Sequence, residues 1–316
     1  MQIATLTLNP CLDVSYEFPT LVPDQKVRAD HTRFDPGGNG INVGRALKRL
    51  GVPAVNFALL AGEIGLLVER LVRSQVDALE TVYIPGETRI NCTILEKSPR
   101  AQYELDGTGP NVPPEALEEI KRRFVDAVAG GFGVVTGSLP PNVPPETYAD
   151  LVERLNAAGA KAVVDTRGIM LEKALEAHPF LIKPNRYELE LFCGRKLSSL
   201  EDVLAEARRL QEKSDYVCVS LGGEGAVLVG AEGAYYANAP KVQVRSTVGA
   251  GDSLVGGLVA GFARGTSPAE ALRLAVSCGS GTASKPGTEL FSPDDLSELE
   301  KDVAVKKVDL GLPLGG

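Results

Sequence analysis

Residues 246–257 read STVGAGDSLVGG, and Leu254, Val255, Leu258, Val259 and Phe262 recur at helical spacing from within it. That spacing predicts a helix opening at Gly249, Ala250 and Gly251. The first amides of a helix lack intrahelical acceptors, and the dipole there favours negative charge. Glycines also let the backbone approach a phosphate closely. An anion site is therefore expected, yet an acid, Asp252, stands directly behind it. The helix dipole alone would favour a carboxylate in the first turn. The alternative is a general base: Asp252 takes a proton from a substrate hydroxyl while the amides meet the charge on a transferring phosphoryl group.

Outward from this stretch, short apolar runs alternate with helical patterns. QIATLTL (2–8), AVNFALLAG (54–62), FGVVTGS (132–138), KAVVDT (161–166), FLIKPN (180–185), YVCVSLG (216–222) and AVLVG (226–230) read as strands. INVGRALKRLG (41–51), EIGLLVERLVRSQ (63–75), PETYADLVERLNAAG (145–159), RYELELFCG (186–194) and SLEDVLAEARRLQEKS (199–214) read as helices. Such alternation predicts an α/β fold with a mainly parallel sheet covered on both faces. Two stretches, roughly 12–36 and 87–107, alternate with period two and lack helices. They predict a small antiparallel sheet outside the main one, acting as a lid on a single domain of residues 1–316.

The chain of 316 residues is 44% hydrophobic and 23% charged, the composition of an ordinary globular protein. A net charge of −8 argues against nucleic-acid binding but leaves anionic small molecules open, since a local pocket can oppose the global sign. Cys11, Cys92, Cys193, Cys218 and Cys278 lie far apart, which fits reduced thiols rather than a disulfide framework or a zinc site. MQIATLTLNP is too short and polar for a signal peptide, and no apolar run approaches a membrane span. A cytoplasmic location without membrane contact is expected.

Other motifs carry two readings each. PGGNGINVGR (36–45) fits neither a P-loop nor a dinucleotide fingerprint: no Lys-Ser/Thr follows the glycines, and Val43 holds the third fingerprint position. It is either a tight turn with helix packing or a place where Gly37, Gly38 and Asn42 meet polyol hydroxyls. In KPNRYEL, Asn185 and Glu188 form a ready-made capping box, while Glu188 is also suited to magnesium. SLGGEGAV (220–227) is a strand–turn–strand signal whose glycines serve turn chemistry or ligand contact. Lys26 and Arg89 are either solvated strand charges or the right type to hold a sugar phosphate. His31 and His178 stand in no metal or triad arrangement.

These motifs in this order resemble the ribokinase-like sugar kinases, specifically the phosphofructokinase-B branch. TLNPCLDVS, GGNGINVGRAL, TRINCTILE, GSLPPNV, KPNRYELE, VSLGGEGAV and STVGAGDSLVGG carry the resemblance across nearly the whole chain. It implies a three-layer αβα domain with a β-sheet lid, pairing lid to lid in a homodimer, and the use of ATP and Mg²⁺. Asp252 matches the catalytic base, and Gly249, Ala250 and Gly251 the anion hole. Asp13, Gly37, Gly38 and Asn42 match sugar-hydroxyl positions, and Arg89 and Ser138 match contacts near the sugar phosphate. Lys26 stands where the fructose-6-phosphate kinases of this branch use a lysine. Lys183, Asn185 and Glu188 match the nucleotide and magnesium side, Ser220, Gly222 and Gly225 the nucleotide loop, and Ser277 and Gly281 the helix along the adenine slot. One departure bears on the substrate: Glu104 stands where those kinases carry a second lid arginine, and a carboxylate would repel a phosphate. The implied activity is ATP-dependent phosphorylation of fructose 6-phosphate. The alternatives are 1-phosphofructokinase or tagatose-6-phosphate kinase activity, a kinase of an unphosphorylated sugar or nucleoside, or a non-catalytic sugar-phosphate sensor.

Overall fold

The structure, a computed structural model, describes residues 2–308. The chain begins β1 (Ile3–Thr7), β2 (Cys11–Phe18), β3 (His31–Gly37), α1 (Asn39–Arg49), β4 (Val55–Ala61), α2 (Gly62–Arg73) and β5 (Ala78–Ile84). It continues through β6 (Arg89–Glu96), β7 (Ala101–Leu105), α3 (Pro114–Asp126), β8 (Phe132–Thr136), α4 (Thr147–Ala157), β9 (Lys161–Asp165) and α5 (Ile169–Glu176). Then come β10 (Leu181–Ile182), α6 (Arg186–Cys193), α7 (Leu200–Gln211), β11 (Tyr216–Ser220), β12 (Ala226–Gly230) and β13 (Gly233–Ala237). The described residues close with α8 (Ala250–Ala263), α9 (Pro268–Ala283), α10 (Pro293–Asp302) and β14 (Val305–Val308).

Among the described residues ten strands form the large sheet in the order β14-β13-β12-β11-β10-β9-β8-β1-β4-β5. From β5 to β11 every pairing is parallel, and β12, β13 and β14 add an antiparallel margin. Strand period two decides which helix layer each residue meets. Val134 and Val163 pack with Val255, Leu258 and Ala275 of α8 and α9, whereas Val135 and Val164 pack with Phe124, Leu151 and Leu171 of α3, α4 and α5. These strands are apolar on both faces because both faces are covered.

The second sheet has the order β3-β2-β6-β7. Its outer pairings are antiparallel, but the central one, β2 with β6, is parallel. The cause is topological: β3, α1, β4, α2 and β5 intervene, and that long connection returns the chain in the same direction. Register places Asp13, Asp35, Arg89, Asn91 and Glu104 on one face, and Leu12, Val14, Phe34, Ile90 and Leu105 on the other. Leu12 and Val14 are covered by α2 residues, while Phe34, Ile90 and Leu105 are exposed.

Candidate active site

Three cavities open along the carboxyl ends of the parallel strands, the usual ligand position in an open α/β sheet. Asn9 follows β1, Ser138 follows β8, Asp165 ends β9, Lys183 follows β10 and Ser220 ends β11. The helix predicted at GAGD begins at Ala250, with Gly249 as its cap at φ +76°, a conformation that suits glycine. Ala250 N–H donates to Thr247 at 3.3 Å, and the first helical bond runs from Ser253 N–H to the Gly249 carbonyl at 2.9 Å. Among the described residues the amides of Gly249, Gly251 and Asp252 have no acceptor. The start of α8 is pinned to α9 by a 2.7 Å hydroxyl pair between Ser253 and Thr282.

Asp252 is 5% exposed and lines a cavity of about 170 Å³ with Asp13, Gly38, Asn39, Asn42 and Asn91. Asn39 Nδ2 donates to its Oδ1 and Asn42 Nδ2 to its Oδ2, both at 2.8 Å. Burial holds the carboxyl above the usual aspartate range; the Asn42 and Asn39 bonds, then Lys183 and Arg45, oppose that shift. One donor on each oxygen leaves a lone pair on each for a proton from the cavity.

Asp13 accepts from the Cys11 thiol at 3.2 Å, and Asn91 Nδ2 donates to the Cys11 sulfur at 3.2 Å. Gly37 makes room for this pair, since a Cβ there would meet both Asp13 and Cys11. Gly38 sits at φ +124° and caps α1. It therefore serves both readings drawn for its stretch, a turn and a cavity wall.

Arg89 borders this cavity and a second of about 350 Å³ that also holds Gly137, Ser138, Asp165, Thr166, Arg167 and Glu188. Its guanidinium donates to the Asn9 carbonyl at 3.0 and 3.1 Å and to Ser138 Oγ at 3.4 Å. Among the described residues, no carboxylate lies within ion-pair distance of Arg89 or Arg167. Two unneutralised guanidinium groups on one cavity wall suit an anion.

Lys183 is buried and pairs with Asp165 at 3.2 Å. Burial disfavours its ammonium, but Asp165, Glu188 and Asp252 outweigh that and hold it above the usual lysine range. Burial pushes Asp165 up to about 6, with Lys183 opposing and Asp252 and Glu188 adding. Asn185 and Glu188 form the expected capping box, the Asn185 side chain accepting from Glu188 N–H at 2.8 Å and the Glu188 carboxylate from Asn185 N–H at 2.9 Å. The box uses Glu188 Oε2, and Glu188 still lines the cavity beside Asp165. Among the described residues no group of three or more His, Cys, Asp or Glu could hold a metal. Magnesium needs less: one or two carboxylates together with substrate phosphates and water. Asp165 and Glu188 fit that donor set.

A third cavity, about 380 Å³, lies on the other side of the α8 start, lined by Ser220, Gly222, Gly225, Ala250, Gly251 and Leu254. Helix α9 lines it through Val276, Gly279, Ser280 and Ala283. Ser277 and Gly281, expected on that wall, do not face it. Ser277 is fully buried with its hydroxyl donating to the Arg273 carbonyl, and Gly281 packs against Phe291. The helix is placed as expected, but its rotation selects the neighbouring positions. Lys26 is also displaced from its expected place: it is exposed between β2 and β3 and lines none of these cavities. Glu104 lies on the cavity-facing side of the small sheet, at the mouth, accepting from Gln102 at 2.7 Å.

The residue-by-residue reading missed Asn39, Asn91, Asp165, Thr166 and Arg167. Asp165 and Arg167 had a signal, because KAVVDTRG ends a buried parallel strand in polar residues where such sheets bind ligands. Asn39 and Asn91 had none beyond proximity to GGNG and TRIN.

A family model described as pfkB family carbohydrate kinase matches residues 5–295. The chain belongs to that family, and its fold is ribokinase-like. It is thus an enzyme of the carbohydrate-kinase class, a phosphotransferase. A 1-phosphofructokinase of Bacillus subtilis is 35% identical over 94% of this chain and 98% of its own length. The ATP-dependent 6-phosphofructokinase isozyme 2 of Escherichia coli is 33% identical over 95% of this chain and 98% of its own. The crystal structure of phosphofructokinase-2 from Escherichia coli in complex with substrates and products superposes with a TM-score of 0.91 at 32% identity, covering 95% of this chain and 99% of that one.

Proposed function

We propose that this protein transfers the terminal phosphoryl group of ATP to the free primary hydroxyl of a fructose monophosphate. One observation carries the reading: Asp252, held by two amide donors, stands beside unpartnered main-chain amides, with a cavity on each side of the helix start. ATP occupies the cavity between α9 and the Ser220–Gly225 turn. The sugar occupies the Asp252 cavity, its hydroxyls meeting Asp13, Asn42 and the Gly37–Gly38 backbone. Its phosphate extends toward Arg89, Ser138 and Arg167.

Asp252 removes the hydroxyl proton as the alkoxide oxygen attacks the terminal phosphorus in line, and the bond to the bridging oxygen of ADP breaks. The free amides of Gly249 and Gly251 meet the charge on the transferring group, while that of Ala250, expected beside them, already donates to Thr247. Asp165 and Glu188 would hold magnesium, whose positive charge neutralises the phosphate oxygens. Lys183 sets the orientation of Asp165. The small sheet covers the sugar side as a lid and keeps water from the phosphoryl group.

Fructose 6-phosphate is the acceptor we favour, and fructose 1-phosphate is the second reading. The Bacillus subtilis 1-phosphofructokinase, 35% identical over 94% of this chain, supports the latter, and Glu104 at the cavity mouth, an acid where a second lid cation is expected, marks a departure from the former. Both reactions yield fructose 1,6-bisphosphate. A panel of fructose 6-phosphate, fructose 1-phosphate, tagatose 6-phosphate, fructose and ribose with Mg-ATP, read by ADP release, tests this. Faster turnover of an unphosphorylated sugar would overturn the sugar-phosphate reading, and no turnover of any would point to a sensor.

The exposed Phe34, Ile90 and Leu105 face of the lid supports pairing of two copies lid to lid. Ile90→Glu should then halve the mass found by sedimentation; an unchanged mass removes this surface from the interface. No described helix is long and apolar enough to cross a membrane, and the described cysteines are all free, which supports work in the reducing cytoplasm.

A further inference from the structure

Arg45 is 3% exposed in the middle of α1, and no carboxylate pairs with it among the described residues. Arg33, Arg49, Asp35 and Asp13 surround it at longer range. Burying a guanidinium without a counter-ion is costly, and its Nε lacks even a hydrogen-bond partner. Among the described residues its one side-chain bond runs from Nη1 to Asn42 Oδ1 at 2.9 Å, and the Asn42 amide nitrogen in turn donates to Asp252 Oδ2 at 2.8 Å. An asparagine amide can present either end to a neighbour. Presenting its oxygen to Asp252 would set two acceptors against each other. Arginine is a donor only, so it can engage nothing but the amide oxygen and thereby turns the NH₂ toward the carboxylate.

The chain makes this relay short. Asn42 and Arg45 are one turn apart on α1, and α1 crosses α8 where Gly256 abuts Ala46, a Cβ there falling 2.7 Å from the Ala46 Cβ. Asn42 precedes Ala46 by four residues, and Asp252 precedes Gly256 by four, so one close helix contact sets the other.

We infer that Arg45 is a positioning residue for phosphoryl transfer: by fixing the orientation of the Asn42 amide it holds the Asp252 carboxylate in line with the sugar hydroxyl. This rests on Asp252 acting as the base. Arg45 lines none of the described cavities and so reaches the sugar site only through Asn42.

Steady-state kinetics with the best sugar phosphate of the panel, together with thermal melting, tests it. Arg45→Met should lower kcat about tenfold or more, with a smaller proportional change in the sugar-phosphate KM through Asn42, and leave Tm unchanged or raised because a buried charge is gone. Arg45→Lys, which keeps a donor-only side chain, should recover much of the loss. If Arg45 acts through Asn42, then Arg45→Met added to Asn42→Ala should lower kcat no further. Unchanged kcat in Arg45→Met, or additive losses in the double variant, would overturn the inference, as would a drop in kcat accompanied by a fall in Tm that Arg45→Lys does not reverse. Loss of turnover in Asp252→Asn but not in Arg45→Met would sink this inference alone. Full turnover in Asp252→Asn would sink the base on which it rests.

Discussion

The start of α8 and the small sheet face each other across the Asp252 cavity and are built on opposite plans. Around Asp252 the side chains are tied to one another: Asn39 and Asn42 hold its two oxygens, Arg45 holds Asn42, and Ser253 bonds Thr282. The small sheet is polar toward the cavity and exposes Phe34, Ile90 and Leu105 on its other face. Arg89, at its edge, donates to neutral oxygens alone among the described residues. The proposed chemistry thus rests on a packed frame, where preorganised dipoles avoid reorganisation during the reaction. The proposed recognition rests on a cover whose Arg89 has no ion-pair partner among the described residues.

Removing the base tests the frame and is the largest expected effect. Asp252→Asn should lower kcat by ~10²–10⁴-fold, with sugar-phosphate affinity nearly intact in a binding titration. Equal losses in both would mean that frame and cover are not separable. Arg89→Ala tests the cover. Losing a charge-assisted contact to phosphate should raise the sugar-phosphate KM roughly tenfold to a hundredfold with a smaller change in kcat. A pure kcat effect would place Arg89 with the frame.

The pH profile is a subtler probe. As the proposed base Asp252 would act as carboxylate, and burial raises its pKa, so kcat/KM should fall with acid through a limb lying above the ordinary aspartate range. Asn39→Ala removes a bond that favours the ionised form, so this limb should move to higher pH. A shift to lower pH would reverse the assigned role of that bond. Least is expected of Lys26→Ala. The lysine lies outside the cavities, so the KM should change less than about twofold; a large rise would return it to the phosphate site.

Much of the arrangement was legible because it follows from main-chain rules. Glycines before an apolar helical pattern announce a helix start with free amides, and GAGD delivers one at Gly249–Asp252. Asn185 and Glu188 announced a capping box and form it. Period-two stretches without helices announced the second sheet, though the parallel β2–β6 pairing depends on a connection that no local pattern encodes. Ser277 and Gly281 show the limit from another side. A residue or two along a helix turns a side chain from cavity to core, and the apolar signal of α9, buried nearly all round, marks no face.

By itself the sequence determined the alternating layers, the helix that presents amides beside Asp252, and the polar face of the small sheet, since each depends on period, caps or glycine within a few residues. Only tertiary structure decided which partners Asp252 keeps. Asn39, Asn42 and Arg45 stand more than two hundred positions away, and nothing local specifies that Gly256 will let α1 approach closely enough for an amide to reach a carboxylate. Hydrogen bonds act over about 3 Å, whereas the order of residues along a chain fixes distance only across a turn or two.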